Sequence, residues 1–335
     1  MGMTSLKDVR QQGWMRLISL APYIVISVAL ILSPLFLSPF NLIMLIKILI
    51  FALFAMSLDI IFGYTGLPSF GHAIFFGVAA YTTGILIVTY GIGSFWLAAP
   101  AGILMAVLAA AIFGFVVTRI SEVYFMLATF ALGQLVYNID IHWLSMTNGP
   151  NGFPGIPRPD LGLPLPMSND IYFYFLTLIV FVVCFFLLHR IVNSPFGLTL
   201  KAIRENEPRM LSLGYRTWVY KYTSFVLGGL FAGVAGMLYA YLNGIVSPSE
   251  LGIMNSTLVL LSVILGGPGT LFGPAIGAGL IWALQHFISV AAPQRWQLIL
   301  GGIFVFSVMY VRGGVAGYLL KFWNRMRLKY GSPTD

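Results

Sequence analysis

The chain has 335 residues, 59% of them hydrophobic and 8% charged, with a mean hydropathy of +0.92. Soluble domains run at about 45–50% apolar and about 25% charged, so the composition excludes a soluble globular protein and points to an integral membrane protein. The net charge of +8 would suit a nucleic-acid binder, but its distribution follows membrane topology, and the single cysteine, Cys184, excludes an internal disulfide.

Residues 1–16 carry Lys7, Arg10 and Arg16 and read as a cytoplasmic N-terminal tail. The apolar run behind them lacks a small-residue cleavage pattern and reads as a retained helix. Apolar runs lie near 17–38, 40–63, 68–90, 95–118, 122–144 and 170–191, and again near 220–242, 255–266, 270–290 and 296–312. Most reach the roughly 20 residues needed to cross about 30 Å of hydrocarbon. They do not alternate in polarity as barrel strands would, so they are helices that satisfy their own backbones. The expected fold is an all-α polytopic bundle with nine or ten crossings, the run 255–266 being too short to span alone. Residues 17–318 form the membrane domain and 319–335 a basic cytoplasmic tail.

Lys and Arg collect on the cytoplasmic side of membrane proteins. With the N-terminus inside, every Lys and Arg falls inside except Arg158 and Arg295, which are outside, and Lys47, which lies within a run. The outer loop 145–169 is dense in Pro and Gly, which predicts a stiff connection rather than a helix. A loop of this length usually carries a function, and Asn148, Asn151 and Arg158 are its candidate exposed contacts.

An internal echo joins the two halves. "GYTGLPSFGHAI" at 63–74 and "GGPGTLFGPAI" at 266–276 both read G-x-x-G followed, after a short gap, by F-G-x-A-I. Such breaks are tolerated at membrane depth only where they are buried in protein or line a cavity. In paired positions they point to a transport pathway, although the same glycines also permit close helix packing. The candidate pathway residues are Gly66, Ser69, His72, Tyr81 and Thr82 after the first break, Gly269 and Thr270 at the second, and Asp59, the only acid in the first four runs. Ser69 stands where an N-cap is expected, and a helix starting there would offer its positive end to a carboxylate. Gln134 and Asn138 share a face of the fifth run.

No phosphate-binding G-x-x-x-x-G-K-[ST] loop, H-E-x-x-H, G-x-S-x-G or Cys/His cluster occurs, so neither an ATPase of this type, nor a metal site, nor a catalytic constellation is expected. Between the sixth and seventh runs stands "SPFGLTLKAIRENEPRMLSLG", a charged, Pro-broken stretch within the cytoplasmic loop 192–219. The residue before Pro208 avoids helical angles, so two short helices are expected, near 198–206 and 208–213, with Gly214 as the closing residue. Leu200, Ile203, Met210 and Leu211 fall on one face, Arg204, Glu205 and Glu207 around it. A greasy face held between two spans is the form of a docking element.

That stretch resembles the cytoplasmic coupling loop of LivM-type permeases, the membrane subunits of branched-chain amino acid ABC importers. "GYTGLPSFGHAIFFGVAAYT" (63–82), "YFMLATFALGQLV" (124–136), "TNGPNGFPGIP" (147–157) and "VSPSELGIMNSTLVLLSVILGGPGTLFGPAIGA" (246–278) are similar to other segments of that family. Asp59 departs from it, standing where an Asn-like residue is expected. The resemblance implies a transport subunit of a bacterial inner membrane, without its own ATPase or bound cofactor. Its partners would be a second related permease, two cytoplasmic ATPases that bind ATP, and a periplasmic binding protein delivering Leu, Ile or Val. In that setting Leu200, Ile203, Arg204, Glu205, Glu207, Leu211 and Gly214 couple to an ATPase. The alternatives are the same machinery for urea, short amides or another small carboxylate, and an ion-coupled secondary transporter using Asp59 and His72.

Overall fold

The computed structural model describes residues 28–162, 167–310 and 314–317. The N-terminal tail, residues 17–27 of the first run and the basic tail 319–335 lie outside the described residues. Each of the ten apolar runs corresponds to a helix, the first of them over 28–36.

Helix α1 spans Pro39–Asp59 and continues as a π-helical turn, Ile60–Tyr64. Then come α2 (Ala73–Val88), α3 (Phe95–Val117), α4 (Glu122–His142) and the single turn α5 (Leu144–Thr147). Helix α6 (Asp170–Val192) leads to the short pair α7 (Pro195–Glu205) and α8 (Glu207–Ser212). The chain closes with α9 (Thr217–Asn243), α10 (Ile253–Gly266), α11 (Phe272–Ala291) and α12 (Trp296–Tyr310). Five of these stretches are long and apolar enough to cross a membrane: α1 with its π turn, α3, α6, α9 and α11.

The helices do not share burial equally. In α1 and α9, 78% of the most apolar window is enclosed, against 22–33% in α3, α6 and α11. The first two are therefore the axis of the bundle, and the others present apolar faces outward, such as Ile112, Val116, Ile179 and Phe186. Lipid is as apolar as leucine, so helices associate in it through close packing rather than hydrophobic burial. Small residues on α9 supply that closeness. A methyl on Gly236 would lie 1.9 Å from the Phe76 carbonyl oxygen of α2, and one on Gly229 would lie 2.4 Å from Ala110 Cβ of α3. Aromatic rings fill the centre: Phe54 stacks on Phe76 at 4.6 Å between centroids, and Phe51 meets Trp282 edge-on at 5.0 Å.

The shortness of α10 has a visible cause. Antiparallel strands β1 (Phe153–Pro154) and β2 (Ile245–Val246) clasp the outer loop to the chain after α9. Val246 lies beside Gly84, whereas Leu251 lies beside Gly77. Seven residues of α2 separate the two glycines, roughly 10 Å along a helix. The chain therefore passes part of the bundle as strand and 3-10 turn (Pro248–Leu251) before α10 begins. Within the described part of 145–169 the loop is tied down by this clasp, by the amides of Gly155 and Ile156 donating to Gly244 O at 3.0 Å each, and by Phe95 N donating to Asp160 O at 3.1 Å.

Candidate functional site

The two breaks meet. Helix α1 ends in a widened turn in which Thr65 Oγ1 donates to Ile60 O at 2.9 Å. Such π turns cluster at functional sites. From Asp59, one turn above, the carboxylate reaches across to the second break. Oδ1 accepts the amide of Gly269 at 2.7 Å and Oδ2 that of Leu271 at 3.2 Å. Asp59 is fully buried. Leu271 sits at φ 59°, ψ −45°, and its neighbours close over it with Phe272 N donating to Thr270 O at 2.7 Å. This is a γ-turn of positive φ, rare and strained for a leucine. The carboxylate holds the amide at its centre. Thr270 Oγ1 in turn accepts Gly273 N at 3.0 Å, capping α11.

Gly63 lies between the two. A methyl there would fall 1.8 Å from Asp59 Oδ1 and 2.3 Å from Gly269 N. Helix α7 seals this junction. Arg204 Nη1 donates to Gly63 O, Lys201 Nζ stands 5.1 Å from the Tyr64 ring centre, and Gly66, at φ 83°, passes beside the Arg204 stem. The meeting point therefore lies against α7, one α6 length (23 residues, about 34 Å) from the outer loop. The expected approach of the two breaks is present, but at one end of the bundle rather than halfway along it.

The first residues of α2 are held differently. The helix starts at Ala73, not beside Pro68, because residues 66–71 form an irregular segment. Ser69 is therefore not its cap; its hydroxyl is buried without a partner. The cap is supplied from the other half of the chain: Ser256 Oγ on α10 accepts Ala73 N at 3.0 Å. Ile74 N and Phe75 N donate to Gly71 O and His72 O. With these amides already partnered, the start of α2 does not offer the free positive end expected for a carboxylate. His72 is fully buried, stacked on Phe54 at 5.5 Å, with Nε2 2.8 Å from Ser57 Oγ. That hydroxyl donates to Phe54 O. Thr82 Oγ1 is satisfied within its own helix by Val78 O at 2.7 Å. Tyr81 is buried with an unpartnered hydroxyl. Asp59, Gly66, Gly269 and Thr270 are thus brought together; Ser69, His72, Tyr81 and Thr82 belong to a separate stretch along α2.

The α7–α8 pair breaks at Asn206, whose side chain accepts Arg209 N at 3.0 Å and caps α8. At the far end Gly214 N donates to Leu211 O and Tyr215 N to Met210 O, with Gly214 at φ 86°, a Schellman closure. The inward face corrects the expected docking face. Leu200 (0% exposed) and Ile203 (3%) are buried against this chain's own helices, so they cannot enter a partner's groove. Outward stand Leu198, Leu211, Leu213 and Tyr215, with Glu205 beside them. Glu207 is committed to Lys221 of α9.

In the outer loop Asn148 and Asn151 are exposed. Arg158 is not a free contact. It pairs with Asp170 at 2.8 Å and lies over the Phe173 ring at 4.4 Å, stapling the loop to α6. Asn138 donates to Gln134 O inside α4 rather than to another helix. No group of three or more His, Cys, Asp and Glu residues suited to a metal stands together among the described residues. Sequence reasoning passed over Ser256, Asp140 and Glu250. The two acids were visible as rare charges inside or beside apolar runs; the capping role of Ser256 left no local trace.

Residues 41–309 match the family model described as branched-chain amino acid transport system / permease component. The chain is 30% identical over 284 residues to the high-affinity branched-chain amino acid transport system permease protein LivM of Escherichia coli (strain K12), covering 78% of this chain and 66% of that relative's length. It is 27% identical to the probable branched-chain amino acid transport permease protein LivM of Methanocaldococcus jannaschii, covering 67% of this chain and 74% of that one. To the permease protein LivH of Escherichia coli (strain K12) it is 24% identical, covering 72% and 82%. No solved structure matches.

Proposed function

The chain belongs to the branched-chain amino acid transport permease family, and from that premise we propose that it is the membrane-spanning subunit of an ATP-driven importer for Leu, Ile or Val. The observation that carries this reading is the contact of α7 with both breaks. A short amphipathic helix at one end of the bundle holds Gly63 through Arg204, while Asp59 binds Gly63's neighbour Gly269. A push on α7 from outside the membrane is thereby delivered to the two places where the spanning helices are interrupted.

The proposed partners are those of such an importer. Two ATPase subunits, which bind the ATP, would grip the outward face of α7 and α8 from the cytoplasm, with Leu198, Leu211 and Leu213 as apolar anchors. A second permease of the LivH kind would complete the pathway. A periplasmic binding protein would land on the outer loop near Asn148 and Asn151. The membrane would be a bacterial inner membrane with both termini cytoplasmic, and this chain would bind no cofactor. An ion-coupled mechanism is disfavoured because Asp59 is committed to two amides and His72 to Ser57.

The test is uptake of radiolabelled leucine by the reconstituted complex with its binding protein, together with ATPase activity. Leu211→Asp should release the ATPase subunits while the chain still folds, and Arg204→Ala should keep them but separate ATP hydrolysis from uptake. Uptake that persists without ATP, or ATPase retained in full by Leu198→Asp and Leu211→Asp combined, would overturn the reading.

A further inference from the structure

At the opposite end of the bundle two acids are buried beside one tyrosine. Asp140, three residues before Trp143 on the last turn of α4, is 5% exposed, and Glu250, in the 3-10 turn ahead of α10, is 8% exposed. The hydroxyl of Tyr81, on α2 and 5% exposed, faces both carboxylates. The two acids are not equally provided for. Glu250 Oε2 receives Asn255 Nδ2 at 3.3 Å, and Ser247, Tyr239 and Lys47 also face that carboxylate. Asp140 is faced by Tyr81, and the salt bridges among the described residues lie elsewhere, at Arg158–Asp170 and Lys221–Glu207. The Tyr81 hydroxyl is set against the Asp140 carboxyl, yet Tyr81 Oη and Asp140 Oδ2 fall short of good hydrogen-bond geometry.

A buried carboxylate without a cation or a full set of donors is strongly unfavourable. Folded proteins do not leave such groups idle; inside membranes they mark the path of a charged cargo. What is missing is a compact positive group carrying several hydrogen-bond donors. Two carboxylates are too few to make a divalent metal centre, and no larger ligand group stands among the described residues. A primary ammonium supplies three donors and one charge, which matches Asp140 Oδ2, Tyr81 Oη and the Glu250 carboxylate.

We propose that the junction of Tyr81, Asp140 and Glu250 is a subsite for the primary ammonium group of the transported amino acid. The proposal rests on the reading of the chain as an amino acid permease. It places recognition of the cargo's positive end on α4 and the 3-10 turn, remote from the α7 junction. Both elements adjoin the clasp between β1 and β2, so the subsite stands at the end of the bundle where cargo would enter.

The assembled permease complex in detergent can be tested by thermal unfolding followed through its tryptophans. Three probes separate the charges: leucine, 3-methylbutylamine, which keeps the ammonium and lacks the carboxylate, and 4-methylpentanoate, which does the reverse. Leucine and the amine should raise the unfolding midpoint and the carboxylate should not. Asp140→Asn should weaken apparent affinity for leucine and the amine at least tenfold, and Asp160→Asn, an exposed acid of the outer loop, should leave it unchanged. Tyr81→Phe, which deletes a single hydroxyl, should weaken the amine severalfold and serves if Asp140→Asn fails to fold. Protection by 4-methylpentanoate equal to that by the amine, no protection by the amine, or full protection retained in both variants would overturn the subsite. An amine that protects while leucine does not would leave the subsite standing and reject the cargo reading. Leucine protection that survives Asp140→Asn, with none by the amine, would do the opposite.

Discussion

The two breaks look alike in sequence and are held in opposite ways. The first, from the π turn to Ala73, is long and supported piecemeal: Thr65 on Ile60, Arg204 on Gly63, Phe70 N on Thr129 and Ser256 on Ala73. No one of these contacts carries the whole. The second, Gly267 to Leu271, is short and tightly wound, and two of its amides depend on a single carboxylate from α1. Distributed support lets the first break shift by small steps. Concentrated support makes the second a unit that is either held or released. The pairing of such a break with a single carboxyl holder is the arrangement expected where one movement must be all-or-none.

Removing the holder should have the largest effect. Asp59→Ala strands the amides of Gly269 and Leu271 in a buried site, and each buried donor left unsatisfied costs about 1–3 kcal/mol. A loss of about 3 kcal/mol in stability is expected, read as a lower unfolding midpoint of the purified complex. Asp59→Asn keeps one carbonyl acceptor and should lose roughly half as much on the same scale. Equal losses in the two variants would show that the charge and second acceptor contribute nothing.

Crowding the point of contact comes next. Gly63→Ala drives a methyl into Asp59 Oδ1 and Gly269 N, and overpacking of this kind costs about 1–3 kcal/mol. The loss should shrink in an Asp59→Ala background, because the methyl then meets one obstacle fewer. A strictly additive double variant would mean that Gly63 and Asp59 do not share the site.

The smallest effect should come from the first break. Ser256→Ala removes one cap from one amide, about 1 kcal/mol, and the other supports remain in place. A loss as large as that of Asp59→Ala would contradict the contrast between the two breaks.

Much of this architecture was legible in the chain. Ten apolar runs, the two glycine breaks and the α7–α8 joint at Asn206 and Pro208 all announce themselves locally, through hydropathy, helix-breaking residues and turn chemistry. The holders of the breaks do not. Asp59 and Gly269 are 210 residues apart in the chain, and Ala73 and Ser256 are 183 apart. A local pattern cannot say which distant group will satisfy a given amide. Ser69 was the nearest cap in sequence and lost to Ser256 because the irregular 66–71 segment postpones the helix. The greasy face of α7 was visible too, but periodicity shows only that a face is apolar. Whether it turns toward a partner or toward the chain's own spans is decided by the route from α6 to α9.

The clasp between β1 and β2 bears on how the protein is made. Phe153 pairs with Val246, 93 residues further along. At about 5–20 residues per second, roughly 5–20 seconds pass between the synthesis of the two partners. During that interval the loop 145–169 is without the strand that will fasten it, and α6 to α9 must be made before it can be fastened. The clasp is thus a late event in biogenesis, and the loop surface that it shapes comes into being only after most of the bundle is in place.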